Sequence, residues 1–291
     1  MKLTSAASSS IVQATQRPFL LQRATPVGGG DINQAFRLEG TDGSRYFLKL
    51  NEARQHATFI SEAAGLQTIA ATQTLRVPQV IAHGASEGMS FLVMEHLQLG
   101  GKGNARRLGE QLAALHRHRA DRFGFPQDNF IGTTPQPNDW AVDWLDFWRE
   151  QRLGHQLRLA AQNGYGGELH KLGEKLMDAL PELIAGYSPQ PSLLHGDLWG
   201  GNHGFLADGT PTVFDPACYY GDRECDLAMT ELFGGYPADF YAAYQAEYPL
   251  DAGYARRREL YNLYHILNHA NLFGGGYAGQ AGNMISALLA P

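Results

Sequence analysis

The 291-residue chain has little cysteine and no long apolar run. Its two cysteines, Cys218 and Cys225, cannot build a disulfide framework, and they have neither CxxC spacing nor a second metal-binding pair. No apolar stretch approaches the roughly 20 residues that a membrane-spanning helix needs. The start of the chain also lacks the continuous apolar segment of a secretory signal. We therefore expect no membrane partner and a reducing, cytoplasmic environment.

Basic residues are in short supply as well. The chain has 23 lysines and arginines against 29 aspartates and glutamates, a formal net charge of -6. Proteins that bind nucleic acid neutralise its phosphates with clustered positive charge, so we expect no nucleic-acid partner. Glycine, by contrast, is abundant at 34 residues and clusters at 28–30, 200–201 and 274–276. Clustered glycine is typical of places where the backbone approaches a ligand closely.

The hydrophobic pattern changes near residue 97. Before it, strands separated by turn residues are predicted at 19–24, 34–38, 45–50, 79–82 and 90–94, with one helix at 52–71. After a glycine-rich stretch at 97–103 the pattern is mainly helical, interrupted by a strand-loop-strand segment at 192–214. We therefore predict an α+β protein with two lobes. Residues 1–97 form a small antiparallel-sheet lobe with one helix, and residues 98–291 form a larger helical lobe.

The most specific motif is HGDLWGGN at residues 195–202, followed thirteen residues later by Asp215. Its spacing, HxDxxxxN and then Asp, is that of the catalytic and metal-binding loops of kinases. Transfer of a γ-phosphoryl group needs a carboxylate beside the attacking hydroxyl and oxygen ligands that hold Mg²⁺ against the phosphates. Asp197 suits the first role, and Asn202 with Asp215 suits the second. One such residue often only caps a turn, but three at these offsets rarely do.

Two further elements precede this motif in the order found in kinases. The glycine-rich turn at 27–33 lies between two strands and is either a flap over ATP phosphates or a plain hairpin turn. Lys49 ends the third strand, and Glu62 lies thirteen residues on in the predicted helix. The two would form a phosphate-positioning pair, although a solvated lysine and glutamate are the alternative. The turn residues assigned to nucleotide binding are Gly28, Gly29, Gly30, Asp31, Ile32 and Asn33.

Some kinase features are missing. Gly196 replaces the arginine of the HRD motif, and neither DFG nor APE follows. These absences favour a kinase of small molecules over a regulated protein kinase.

Other candidates are assigned structural roles. His265 and His269 lie four residues apart but lack the glutamate of HExxH, so we interpret them as packing or capping residues rather than metal ligands. Residues 256–258, all arginine, are expected on a solvated helix face. Four aromatic residues at helical spacing could stack a sugar ring but are assigned to the core: Trp140, Trp144, Phe147 and Trp148.

Several stretches closely resemble the fructosamine kinase family, the ketosamine 3-kinases. They include GGGDINQAF, HGDLWGGNHGF, DPACYYGDRECDLAM and NHANLFGGGY, and the resemblance runs from about residue 19 to about residue 284. The HGDxxxxN motif is shared with the wider aminoglycoside-phosphotransferase-like group. The last two stretches single out the family.

The resemblance implies a protein-kinase-like fold and the use of Mg-ATP to phosphorylate the O3 hydroxyl of a ketosamine on a lysine or free amine. The 3-phosphate then eliminates, which removes the sugar. By resemblance, Asp197 is the proton acceptor, and Asn202 and Asp215 are the metal ligands. Lys49 and Glu62 position the phosphates.

The resemblance implies two more roles. The backbone of Glu95, His96 and Leu97 would form the hinge that meets adenine, and Asp226 would brace the catalytic loop. Many members have a cysteine where this chain has Asp31, so a disulfide-linked dimer through that loop is not available, and we expect a monomer.

The acceptor remains open at this stage. A five-carbon ketosamine is the first expectation if the source is not an animal, and the acceptor is either a small ketosamine or a glycated lysine of a protein. The alternatives are a phosphotransferase for an aminoglycoside, choline or an amino sugar, and a nucleotide-binding module without catalysis.

Overall fold

A computed structural model describes residues 2–28 and 32–290 of the chain. The predicted nucleotide-binding residues Gly29, Gly30 and Asp31 lie outside the described residues. The chain forms two compact units. Unit 1 comprises residues 1–104 and 203–216, and unit 2 comprises residues 105–202 and 217–291. The domain boundary at residue 97 stays a prediction.

The described strands and helices are as follows. The strands are β1 (Leu21–Val27), β2 (Gln34–Gly40), β3 (Arg45–Glu52), β4 (Val80–Ser86), β5 (Met89–Glu95), β6 (Asn129–Ile131), β7 (Thr134–Gln136), β8 (Ser192–Leu194), β9 (His203–Phe205), β10 (Pro211–Val213) and β11 (Tyr219–Gly221). The helices are α1 (Lys2–Thr15), α2 (His56–Ala71), α3 (Ala105–His116), α4 (Trp144–Phe147), α5 (Gly154–Ala160), α6 (Glu168–Leu183), α7 (Glu224–Leu232), α8 (Ala238–Glu247), α9 (Tyr254–Phe273) and α10 (Tyr277–Leu288).

The predicted antiparallel sheet of unit 1 is confirmed. Its five strands lie in the order β1-β2-β3-β5-β4, and every neighbouring pair is antiparallel. Side chains alternate between the two faces of a strand. On β3, Leu48 and Leu50 accordingly pack in the core cluster that includes Ala7 and Ile11 of α1, whereas Lys49 faces α2. The register of the sheet thus selects the face on which Lys49 lies.

Helix α1 was missed by the sequence analysis, which predicted no helix before residue 52. The helix covers one face of the sheet with Ala7 and Ile11, both fully buried. These residues are four apart and therefore lie on the same side of a helix. That spacing was the available signal, but its apolar content is slight and only packing against the sheet makes it decisive.

Unit 2 is mainly helical, as predicted. The 20-residue helix α9 packs against α5, α7 and α10, and α3 packs against α8. The assignment of Trp144, Phe147 and Trp148 to the core is confirmed because all three are buried. For Trp140 it is wrong: that side chain is 37% exposed and stacks on Tyr220 at a centroid distance of 6.2 Å.

The prediction of a solvated arginine face on α9 is also wrong at its middle residue. Arg257 is buried and donates from Nε and Nη2 to the two carboxylate oxygens of Glu224, at 2.6 and 2.8 Å. Its guanidinium also lies over the ring of Tyr187, 3.6 Å from the centroid. A buried charge needs a partner of opposite charge. The run of three arginines could not indicate that this partner is Glu224, which lies 33 residues away.

Among the described helices, none is long and apolar enough to cross a bilayer.

Candidate active site

The loop that follows β8 is held by a buried carboxylate. Oδ2 of Asp226, on α7, accepts from the backbone N–H of His195 at 2.7 Å, and Oδ1 accepts from that of Gly196 at 2.8 Å. Nε2 of His116 donates to Oδ2 at 3.1 Å. Burial alone would raise the pKa of Asp226, but the hydrogen bonds from His116 and the loop hold it below its ordinary value. The carboxylate therefore stays ionised and fixes the start of the loop.

His116 extends this bracing network. Burial lowers its pKa, so the ring is neutral, and its Nδ1 accepts from the hydroxyl of Tyr244 at 2.8 Å. The sequence analysis did not identify His116. No sequence motif marks it, because His116 is the last residue of α3 and its partner Asp226 lies 110 residues further along the chain.

Gly196, which replaces the arginine of HRD, stands where no side chain fits. Its φ is +84°, a left-handed conformation that favours glycine, and a Cβ there would lie 2.0 Å from the carbonyl oxygen of Ala217. The N–H of Ala217 donates in turn to the carbonyl of His195 at 2.9 Å. The loop therefore passes directly against the segment that leads to β11.

Asp197 and Asn202 are brought together within this loop. Nδ2 of Asn202 donates to the backbone oxygen of Asp197 at 2.9 Å and to its carboxylate at 3.1 Å. Asn202 is buried and Asp197 is half-buried. Asn202 therefore fixes the Asp197 carboxylate through its amide nitrogen, and its amide oxygen accepts no hydrogen bond within residues 2–28 and 32–290.

Lys49, Glu62 and Asp215 meet in unit 1. Nζ of Lys49 donates to Glu62 at 2.7 Å and to Asp215 at 2.5 Å. Burial would lower the pKa of Lys49, but the carboxylates of Asp215 and Glu62 outweigh it and raise that pKa. For Glu62 the effect of burial is the larger one: it raises the pKa above its ordinary value, although the charge of Lys49 acts to lower it. The predicted pair is thus present, and its ammonium also bonds to the predicted metal ligand.

Arg76 ties two segments of unit 1 to each other and was missed by the sequence analysis. Its carbonyl accepts from the N–H of Val213 and from Oγ1 of Thr212, both at 3.0 Å, on the strand that leads to Asp215. Its guanidinium donates to both carboxylate oxygens of Glu95. Arg76 therefore links the end of β5, where the hinge is predicted, to β10. Neither contact leaves a local sequence signal.

The other predicted nucleotide-binding residues occupy the expected strand ends. Gly28 is exposed after β1, and Asn33 precedes β2 with its Oδ1 accepting from Nδ2 of Asn51 at 2.7 Å. The carbonyl of Ile32 accepts from the same amide at 3.3 Å. Glu95, His96 and Leu97 are all half-buried.

The two histidines of α9 contact each other. Nδ1 of His269 donates to the carbonyl of His265 at 2.7 Å, and His265 is buried. In the described part of the chain, no group of three or more histidine, cysteine, aspartate or glutamate side chains is arranged to hold a metal ion.

A family model described as fructosamine kinase matches residues 3–291. The chain belongs to the fructosamine kinase family. A probable ketoamine kinase of Synechocystis is 49% identical over 287 residues, which cover 97% of this chain and 95% of that protein. The chloroplastic protein-ribulosamine 3-kinase of Arabidopsis thaliana is 42% identical over 269 residues, which cover 90% of this chain and 81% of that protein.

Solved structures share the fold of this chain. A crystal structure provisionally assigned as a fructosamine-3-kinase of Haemophilus somnus aligns with a TM-score of 0.89 at 30% identity, covering 98% of this chain and 97% of that one. Solved aminoglycoside phosphotransferases at 13 to 14% identity share the fold alone. The predicted protein-kinase-like α+β fold is therefore confirmed, and the chain is a kinase whose family implies ATP as the phosphate donor.

Proposed function

We propose that this kinase transfers the γ-phosphoryl group of ATP to the O3 hydroxyl of ketosamines and thereby starts their deglycation. The observation that carries the proposal is the loop in which Asn202 holds the carboxylate of Asp197 while Asp226 holds the loop backbone. A phosphoryl transferase depends on such positioning because the chemical step itself needs little covalent assistance.

Asp197 is the proposed proton acceptor. As the O3 oxygen of the acceptor forms its bond to the γ-phosphorus, the hydroxyl proton passes to the Asp197 carboxylate. The bond between that phosphorus and the oxygen bridging to the β-phosphate breaks, and ADP leaves. Asn202 limits rotation of the carboxylate through its hydrogen bond at 3.1 Å, which favours one orientation toward the hydroxyl.

Lys49 is the proposed partner of the α- and β-phosphates, and Glu62 holds its ammonium in place. The high pKa of Lys49 keeps the ammonium charged at neutral pH. The proposed nucleotide site also includes the glycine-rich turn from Gly28 to Asn33 and the hinge backbone of residues 95–97.

The residues proposed as metal ligands fit Mg²⁺ by their chemistry. Asn202 has an amide oxygen that accepts no hydrogen bond among the described residues, and Asp215 offers a partly exposed carboxylate. Mg²⁺ prefers oxygen ligands and takes one or two from protein, with the rest from phosphates and water. Bound there, Mg²⁺ would neutralise charge on the transferring phosphates.

Likeness to named relatives supports the choice of acceptor. The Arabidopsis relative is named a protein-ribulosamine 3-kinase, and the Synechocystis relative is named a ketoamine kinase. We therefore propose ribulosamines or erythrulosamines ahead of fructosamines, on free amines or on protein lysines. We further propose that the protein acts as a cytoplasmic monomer, which sedimentation and fractionation of the source cells would check.

The proposal is tested by ADP release with Mg-ATP against ribulose-lysine, erythrulose-lysine, fructose-lysine, kanamycin and choline. We expect turnover on the ketosamines, with removal of Mg²⁺ by EDTA abolishing it. Asp197→Asn should lower kcat by roughly 10² to 10⁴ while ATP still binds, because only the proton acceptor is lost. Asp178→Asn, an exposed aspartate on α6, is the matched control.

Turnover on kanamycin or choline alone would contradict the proposed acceptor. Near-normal kcat in Asp197→Asn would remove the assigned proton acceptor. Intact ATP binding without turnover on any acceptor would support a nucleotide-binding module instead.

A further inference from the structure

Five aromatic side chains form a partly exposed cluster in unit 2, next to the catalytic loop. Together we call them the aromatic surface: Trp199, Phe233, His269, Phe273 and Tyr277. Trp199 meets Phe233 at a centroid distance of 6.4 Å, and Phe233 meets His269 at 5.1 Å. The rings of Phe273 and Tyr277 lie 5.6 and 5.1 Å from that of His269. The cluster is therefore continuous, with the histidine at its centre.

Exposure of these rings is unusual for their size. Trp199 and Phe233 are each 39% exposed, and Phe273 is 52% exposed. Contiguous exposed apolar groups on a soluble protein commonly mark a binding site. Their exposure contrasts with the buried aromatic residues of α4 in the same unit, which complete the core.

Trp199 connects the aromatic surface to the proposed chemistry. It lies two residues after Asp197, and its N–H donates to the Asp197 carbonyl at 3.1 Å. Its indole ring lies against Gly201, where a Cβ would approach ring atoms to 2.3 Å. The hydroxyl of Tyr236 donates to the Trp199 carbonyl at 3.2 Å. The loop backbone and the absence of a side chain at Gly201 thus set the position of the indole, which belongs to the residue two positions after Asp197.

His269 adds polar atoms to the aromatic surface. Its Nδ1 donates to the carbonyl of His265, and Nε2 is the second nitrogen of the ring. Within the described ranges, no other residue forms a hydrogen bond with this ring. The surface therefore presents several π faces, which suit a ligand that carries a cation.

The proposed acceptor carries such a cation a few bonds from the reacting oxygen. In a ketosamine the nitrogen is a secondary ammonium, and three carbon atoms separate it from the O3 oxygen. An O3 hydroxyl held at Asp197 would place this ammonium, and the alkyl chain attached to it, within reach of Trp199. Aromatic rings attract alkylammonium groups through their negative faces and also cover the apolar chain.

We propose that the aromatic surface binds the secondary ammonium and the alkyl chain of the ketosamine, so that it selects glycated alkylamines. This inference rests on the proposed ketosamine kinase function. The rings that would contact the amine of the ketosamine lie on the catalytic loop, at the end of α7 and where α9 passes into α10.

The test uses Phe273→Ala, because this ring is the most exposed of the surface and lies at the end of α9. The acceptors are ribulose-lysine, the shorter ribulose-methylamine, and an N-acetylated ribulose-lysine whose nitrogen is uncharged. We expect Phe273→Ala to raise KM for ribulose-lysine about three- to thirtyfold, with kcat and KM for ATP nearly unchanged. The wild-type protein should bind the uncharged analogue more weakly by a similar factor.

Two variants separate the sources of the effect. Phe273→Leu keeps apolar area but not the π face, and it should restore affinity only in part. Val142→Ala changes an exposed apolar residue of the same unit outside the aromatic surface and should leave KM unchanged. Binding of ribulose-lysine is also measured by calorimetry without nucleotide, which makes the result independent of turnover.

The outcomes distinguish the two proposals. Wild-type turnover with unchanged KM and unchanged calorimetric affinity in Phe273→Ala would overturn the aromatic surface and leave the kinase function standing. Equal wild-type affinity for the charged and uncharged acceptors would also overturn it. Calorimetric binding that weakens in Phe273→Ala, together with no turnover in the wild type, would support the surface and contradict the kinase function. Absence of both binding and turnover would overturn both.

Discussion

Replacing Asp226 with asparagine tests whether one buried carboxylate holds the catalytic loop. Asp226 is 1% exposed and accepts three hydrogen bonds, two from loop N–H groups and one from His116. An asparagine can keep its oxygen at the Oδ2 position, facing the N–H of His195 and His116. Its NH₂ group then faces the N–H of Gly196, donor against donor.

The expected loss follows from these contacts. One buried N–H is left without an acceptor, which costs about 1–3 kcal/mol, and the remaining bonds lose the strength that the charge gave them. We therefore expect Asp226→Asn to lower the free energy of unfolding by about 3–5 kcal/mol. Because Asp197 follows the released peptide directly, kcat should fall as well, by roughly tenfold or more.

Urea unfolding and ADP release at pH 6, 7 and 8 measure the two effects. The pKa of Asp226 lies below its ordinary value, so the carboxylate is ionised throughout this range and the difference from wild type should not vary with pH. Asp178→Asn, the same change at an exposed site, is the control. An Asp226→Asn protein within about 0.5 kcal/mol of wild type, with normal kcat, would refute the bracing role.

Two further predictions concern other buried or missed residues. Burial, with the nearby His269, lowers the pKa of His265 to about 3, so below pH 6.5 the unfolded chain gains a proton that the folded chain does not. The free energy of unfolding should then fall by about 1.4 kcal/mol for each pH unit. Between pH 7 and 5, urea unfolding should show the wild type losing about 2 kcal/mol more than His265→Leu. Parallel losses in the two proteins would contradict this. Arg76→Met should raise KM for ATP about three- to tenfold with kcat little changed, because Glu95, at the proposed hinge, loses the arginine that bonds to both of its carboxylate oxygens. Steady-state kinetics with Glu87→Gln as an exposed control would check it, and an unchanged KM would argue against the link.

Patterns with a short range along the chain were predictable. The turn residues bounded the strands of the sheet, and Lys49 lies on the predicted third strand. Contrary to the prediction, it does not end that strand, because pairing with β5 continues to Glu52. The offset of five residues between Asp197 and Asn202 brings the two side chains together in one loop. Such features depend on local geometry, which residue order alone specifies.

Contacts between distant segments were not predictable in the same way. Arg257 was expected in solvent but pairs with Glu224 in the interior. Arg76 has no motif, and its partners lie 19 and 136 residues away. A single sequence carries no periodic signal for such pairs, because their meeting depends on how whole elements pack.

The sequence by itself determined the sheet, the helical unit, the order of the kinase motifs and the family resemblance. The tertiary structure alone decided that Gly196 must lack a side chain, because the obstructing atom is the carbonyl of Ala217, 21 residues on. It also decided that α1 forms a face of the core and that rings from the catalytic loop, α7 and the α9–α10 region lie together as one exposed surface. Local spacing selects each element, but only packing brings residues from different elements into contact.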